Sequence, residues 1–289
     1  MEELFKSYET AFPGNAVQNK VLTMANNSHQ YRNEDILSSL FNLIDLTSLN
    51  TEDSSTSIKS MIEKVNKFSE HFPEDKKLAA VCVYPNFVET VRSTLTDQEI
   101  KVAAVGAGFP SSQTFLKIKE EECRMAVEAG ADEVDIVLSV GEFQDGNYEK
   151  VFEEIKALKA AVGEKHLKVI LETGSLAVFE QIWKASILAM EAGADFIKTS
   201  TGKQQPAATP EAVYIMVHAI KAYQEKTGRM VGIKPAGGIG YAEDALTYYA
   251  IVREVLGEKW INNNYFRIGA SRLANHLLST IKDENVGYF

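Results

Sequence analysis

A lysine set in the middle of an apolar, β-branched run is costly to bury unless it is paired or neutral. Lys198, in FIKTST (196–201), is such a lysine. Three roles fit it: an ion pair with a nearby carboxylate, a ligand for phosphate, or an amine nucleophile. A nucleophilic amine must be neutral, and at the ordinary lysine pKa of about 10.4 only about one molecule in 2,500 is neutral at pH 7. Bringing the pKa near 7 takes about 3 units, or roughly 4 kcal/mol. A second ammonium about 4 Å away supplies about that much at an effective dielectric near 20. The next apolar run, VGIKPAGG (231–238), offers Lys234 for this part, with a purely structural lysine as its alternative. Asp135, in EVDIVLS (133–139), is a carboxylate able to shuttle the proton that water loss requires.

Anion-binding features follow in the later part of the chain. The segments Thr201-Gly202-Lys203, Gly237-Gly238-Ile239-Gly240 and Gly269-Ala270-Ser271-Arg272 each follow an apolar run. Glycines let backbone N–H groups approach phosphate oxygens, and a following helix N-terminus favours the anion. Asp45, in IDLT, is a second carboxylate that serves either substrate or a structural hydrogen bond, whereas Glu172 reads as structural. Cys82 has the parity of an interior residue. It reads as a small core side chain or, more sharply, as a thiol close enough to attack an unsaturated aldehyde held on Lys198. The five histidines show no metal-ligand spacing and the two cysteines, Cys82 and Cys123, lie far apart, so no metal or other cofactor is expected.

These residues have to be positioned by the elements around them. From residue 43 onward, short runs rich in Val and Ile alternate with amphipathic segments: LIDLT (43–47), LAAVCVYP (78–85), KVAAVGAG (101–108), EVDIVLS, LKVILET (167–173), FIKTST, VGIKPAGG and FRIGAS (266–271). Eight βα units over about 250 residues predict an α/β fold, a closed (β/α)8 TIM barrel. An open doubly wound sheet is the alternative, but the turn after the first strand, DLTSLNTED, has no glycine-rich fingerprint. Residues 1–42 read as an N-terminal helical extension packed on the barrel, helical from about Glu34 to Asn42, with residues 43–289 forming the catalytic barrel. The pentapeptide EAGAD occurs at 128–132 and again at 191–195, and three residues past each shared aspartate stand Asp135 and Lys198. Gly130 and Gly193 fit positions just past a helix, where positive φ is needed. The copies lie two βα units apart, and alternate strands supply the same interior layer of such a barrel. Asp135 and Lys198 are therefore expected to meet inside it.

Composition narrows the function further. The 289-residue chain is 45% hydrophobic and 24% charged, which suits a well-filled globular core. Its net charge of −10 and absence of a basic stripe exclude a nucleic-acid binder. No apolar run is long enough to cross a membrane and the N-terminus lacks a signal-peptide pattern. With only two cysteines, this reads as a cytoplasmic protein.

The stretches FIKTSTGK (196–203), KPAGG (234–238), EVDIV (133–137), AAVCVYP (79–85), IDLTSL (44–49) and IGAS (268–271) together resemble the 2-deoxyribose-5-phosphate aldolases, in order, from about residue 43 to 275. The resemblance implies a metal-free class I aldolase. Such an enzyme reversibly cleaves 2-deoxy-D-ribose 5-phosphate to acetaldehyde and D-glyceraldehyde 3-phosphate in deoxynucleoside breakdown. It makes Lys198 the Schiff-base lysine, Asp135 the proton-transfer carboxylate and Lys234 the second lysine. Lys203, Gly238 and Ser271 would lie in the phosphate loops, and Asp45 and Thr47 would position sugar hydroxyls. The pair Ile239-Gly240 stands where many members read a hydrophobic residue and then arginine. Arg272 stands where many carry a small polar residue, so one positive charge has moved between neighbouring loops or Arg272 pairs with Glu243 or Asp244. Another Schiff-base lyase or transaldolase, and a non-catalytic sugar-phosphate-binding barrel, are the competing functions. The expected partners are small sugar phosphates and aldehydes, with a homodimer open as the assembly.

Overall fold

The computed structural model describes residues 1–8, 12–176 and 178–289. Eight parallel strands form one sheet: β1 (Ile44–Thr47), β2 (Ala80–Val83), β3 (Lys101–Val105), β4 (Glu133–Val137), β5 (His166–Ile170), β6 (Phe196–Lys198), β7 (Gly232–Lys234) and β8 (Ile268–Ala270). Their order is β7-β6-β5-β4-β3-β2-β1-β8, and bridges Ile233–Phe266 and Ala236–Gly269 join β7 to β8. The expected closed barrel is the observed one, and each apolar run holds its strand. All the strands are short, three to five residues each, because the ends of the runs belong to the loops that build the site.

Helices follow the strands, and their ends carry the expected signals. The helix Pro210–Thr227 opens on Thr209, whose hydroxyl accepts from the Ala212 N–H, with proline in the first turn. Gly130 and Gly193 adopt φ of 108° and 107°. In both copies of EAGAD the final aspartate clamps the preceding strand. Asp132 accepts from the Val102 N–H of β3 at 3.1 Å, and Asp195 accepts from the Leu167 N–H of β5 at 2.9 Å. The same anchor is thus applied twice, and it sets the height at which β4 and β6 leave their turns.

Ahead of β1 lie the helices Glu2–Lys6, Gly14–Asn27 and Glu34–Phe41, the last capped by Asn33. The sequence pattern pointed to the third alone. Gly14–Asn27 shows only a thin apolar stripe, Val17, Val21 and Met24, which joins Phe5 in the core shared with the barrel helices. No described helix is long and apolar enough to cross a membrane. A second, small apolar cluster of Leu49, Cys82, Ala103 and Val105, with Tyr84 and Phe109 against it, stands apart from the main core.

Candidate active site

Inside the barrel lies a buried network of charged side chains. Lys198 Nζ and Lys234 Nζ each stand 2.8 Å from Asp135 Oδ2. Lys168 Nζ donates to Asp135 Oδ1 at 3.0 Å and to Glu133 Oε2 at 2.5 Å. Lys234 also lies 2.5 Å from Asp45 Oδ2. The Arg267 guanidinium reaches Asp45 Oδ1 at 2.8 Å and both oxygens of Glu133 at 3.0 and 3.2 Å. Every member is at most 3% exposed. Lys198, Lys234, Lys168 and Arg267 are four cationic groups set against three carboxylates, Asp45, Glu133 and Asp135. With all seven ionised the network carries one surplus positive charge in surroundings that cannot hydrate it.

The surplus falls on Lys198. Burial is the largest influence and lowers its pKa; Asp135 pulls it back up and neighbouring Lys234 pushes it down, leaving it below the ordinary lysine value. The expectation that a second ammonium dominates is corrected here, because desolvation contributes more than Lys234 does. For Lys234 burial acts downward too, but Asp135 and Asp45 outweigh it and hold the ammonium charged. Lys168 is likewise raised, burial being outweighed by Asp135 and Glu133. Burial would raise Asp135, yet Lys168, Lys198 and Lys234 keep it well below the usual carboxylate range. The result is one lysine with a lowered pKa beside a carboxylate held well below its usual range.

Of the four cations, only Lys198 also lines the cleft above the network, a cavity of about 210 Å³ at the barrel mouth. Its walls include Thr47, Asn50, Thr201, Gly202, Lys203, Gly237, Gly238, Gly269, Ser271 and Arg272. All three loops expected to hold an anion therefore converge on Lys198. Gly237 takes φ of 83°, and a Cβ there would meet the Ala207 Cβ at 2.8 Å, so both the turn and its close packing require glycine. Glu172 acts as the structural residue it was read to be. Its carboxylate accepts from the Thr201 hydroxyl at 2.6 Å and the Thr201 N–H at 3.2 Å, pinning the loop after β6. Lys203 Nζ donates to the Leu49 carbonyl across the cleft. Arg272 is exposed at the head of the helix Leu273–Lys282. Its two suggested surface partners are taken: Glu243 pairs with Arg32, and Asp244 accepts from the Gly240 and Tyr241 N–H groups.

Asp45 and Cys82, each read as either structural or substrate-facing, are both fully buried. Asp45 does not line the cleft; it is fully buried beneath it among Lys234, Arg267 and Lys168 (the last at 3.8 Å). Thr47, two residues on, is the member of that strand at the cleft. Cys82 is fully buried in the small apolar cluster with Leu49, within electrostatic reach of Lys234, Asp135 and Lys198, and burial pushes its thiol pKa up. Three participants were missed. Glu133 lies two residues before Asp135, hence on the same strand face, and that spacing could have found it. Lys168 and Arg267 each interrupt an apolar run, the signal that singled out Lys198. Among the described residues no group of three or more His, Cys, Asp or Glu side chains is disposed to hold a metal ion.

Comparison with known proteins agrees with this geometry. Residues 40–252 match the DeoC/LacD family of aldolases. A deoxyribose-phosphate aldolase of Homo sapiens is 42% identical over 244 residues, covering 81% of this chain and 77% of that protein. That of Mus musculus is 41% identical over 249 residues, with the same coverage of each. A tetrameric deoxyribose phosphate aldolase structure from Aeropyrum pernix has the same fold, with a TM-score of 0.67 at 21% identity, covering 89% of this chain and 96% of that one. This chain, a barrel whose mouth gathers three glycine loops around a buried lysine, matched along most of its length, belongs to the DeoC/LacD aldolase family.

Proposed function

We propose that this protein reversibly cleaves 2-deoxy-D-ribose 5-phosphate to acetaldehyde and D-glyceraldehyde 3-phosphate through an imine on Lys198. The observation that carries the reading is placement: of the four buried cationic groups, the lysine whose pKa is lowered is the one that lines the cleft. A binding protein gains nothing from a neutral amine at such a place. The sequence relatives named deoxyribose-phosphate aldolase support the choice of substrate.

The chemistry follows from the positions. Neutral Lys198 Nζ adds to the substrate aldehyde carbon, giving a carbinolamine. Asp135, 2.8 Å from that nitrogen, moves the protons that let the hydroxyl leave as water and the iminium form. The iminium accepts the electron pair of the C2–C3 bond as that bond breaks. The C3 hydroxyl gives up its proton and glyceraldehyde 3-phosphate leaves. Protonation of the enamine at C2 and hydrolysis of the imine then release acetaldehyde and restore the amine. Lys234 stays charged between Asp135 and Asp45 and keeps the carboxylate ionised and oriented. The loops of Lys203, Gly237–Gly238 and Ser271–Arg272 take the phosphate, against the chain's overall negative charge.

Borohydride reduction in the presence of acetaldehyde should fix a two-carbon adduct on Lys198, read by peptide mass spectrometry. An adduct on Lys234, Lys168 or Lys203 instead would overturn the assignment.

Arg272 has no ion-pair partner among the described residues and faces the cleft, which suits a charge relocated from position 240. Charge-assisted hydrogen bonds are worth roughly 1.5–3 kcal/mol. Arg272→Ala should therefore raise KM for deoxyribose 5-phosphate by about tenfold to a hundredfold and leave unphosphorylated deoxyribose nearly unchanged. Equal effects on both sugars, or none, would remove Arg272 from the phosphate site.

A further inference from the structure

Lys168 lies outside the cleft and cannot touch substrate, yet its ammonium faces all three carboxylates of the network: Glu133 at 2.5 Å, Asp135 at 3.0 Å and Asp45 at 3.8 Å. It occupies Asp135 Oδ1, while Lys198 and Lys234 share Oδ2. We infer that Lys168 is a positioning residue that denies Lys198 a carboxylate of its own and so holds the nucleophile in its uncharged, reactive form. This rests on Lys198 being the imine-forming amine, and it assigns that property to the network as a whole and not to Lys234 alone.

The groups facing Lys198 come from every surrounding strand that carries charge. Asp135 on β4 contacts it directly, with Lys234 on β7 and Cys82 on β2 close by; behind them stand Glu133 on β4, His166 and Lys168 on β5, Asp45 on β1 and Arg267 just ahead of β8, and Lys203 and Arg272 lie in the loops above. Three carboxylates divided among four cations leave less than one full counter-charge for each. Lys168, fully buried and contacting the most carboxylates, draws off the largest share. Without it, three cations face three carboxylates, Asp135 Oδ1 is freed, and Lys198 acquires a full counter-charge. The sign is then fixed: an amine whose neighbouring anion is shared with fewer cations keeps its proton to higher pH.

The test is the pH at which borohydride trapping of acetaldehyde reaches half its maximum, measured for the parent, Lys168→Met, Glu133→Gln and Lys168→Met/Glu133→Gln. Lys168→Met should move this midpoint upward by one pH unit or more, lose turnover tenfold or more at neutral pH and regain much of it at alkaline pH. KM for the phosphorylated sugar should change less than threefold, since the phosphate loops are untouched. The double variant removes one carboxylate, restores a single surplus cation and should bring the midpoint back down, while the amide oxygen introduced at position 133 can still accept from Arg267. A midpoint that stays fixed in Lys168→Met, with activity reduced evenly at all pH values, would show a merely structural lysine. A fold loss in Lys168→Met with an unshifted midpoint in the folded double variant relative to Glu133→Gln alone would overturn the inference as well. Failure of the parent to be trapped on Lys198 would instead defeat the underlying assignment.

Discussion

Lys198→Met is expected to lower turnover of deoxyribose 5-phosphate by about 10,000-fold or more while leaving the protein at least as stable as its parent. The loss is large because no other amine of the network is available: Lys234 is held charged between two carboxylates, and Lys168 lies below the cleft against Glu133 and Asp135. The preserved stability follows from position. Lys198 contacts a single network oxygen, Asp135 Oδ2, which Lys234 also satisfies at the same 2.8 Å. Methionine has a similar length and no charge to desolvate, and it leaves three cations for three carboxylates. Thermal unfolding should show an unchanged or higher Tm, the pattern of a site that trades stability for reactivity. A marked drop in Tm would mean that Lys198 is a structural ion-pair member and not the surplus charge.

The opposite outcome is expected for Arg267→Met, although it too removes one cation. Arg267 supplies three hydrogen bonds to the carboxylates, one to Asp45 Oδ1 and two to Glu133, and a fourth from Nε to the Asn263 carbonyl. Deleting it strands Asp45 Oδ1 and Glu133 Oε1 in the interior, with only the half-exposed His166 ring 3.5 Å from the latter. Breaking a buried pair by removing one partner costs about 3–5 kcal/mol. Denaturant unfolding should register that loss. Because Asp45 and Glu133 hold their protons off only with cationic help, Arg267→Met should also be more stable near pH 4, where they can protonate, relative to its parent, than at pH 7. A loss below 1 kcal/mol would mean that water enters the site and hydrates the freed carboxylates.

How much of this was visible beforehand depends on what sets each position. The barrel and its eight strands follow from hydrophobic runs of the right length, and the Asp135–Lys198 contact follows from the repeated EAGAD clamp, which is local sequence acting twice. Thr47, Gly238 and Ser271 reach the cleft because they stand at a strand's last residue or in the loop beyond it, at the mouth of any such barrel. Asp45 and Cys82 were harder to place. Their inward direction follows from strand alternation, but their depth depends on the stagger between β1, β2 and β8, and that stagger is fixed by long-range packing. Lys168 and Arg267 were passed over because each is one charge in an apolar run and has meaning only beside carboxylates from distant strands. The helix Gly14–Asn27 escaped notice for a similar reason: its stripe is completed by helices more than 180 residues away.

The network divides along the chain. Asp45, Glu133 and Asp135 all come from the first four strands, whereas Lys168, Lys198, Lys234 and Arg267 all come from β5 or later. Each half-barrel is therefore lined with charges of one sign. A copy of the first half closing on another first half would trap six acids, and two second halves would trap eight bases. Each half is thus matched to the other and repelled by its own kind, although the EAGAD echo runs across the divide. The same charges that tune the nucleophile make the two halves obligate complements during folding, and closure of the barrel is the step at which both become neutral enough to be dry.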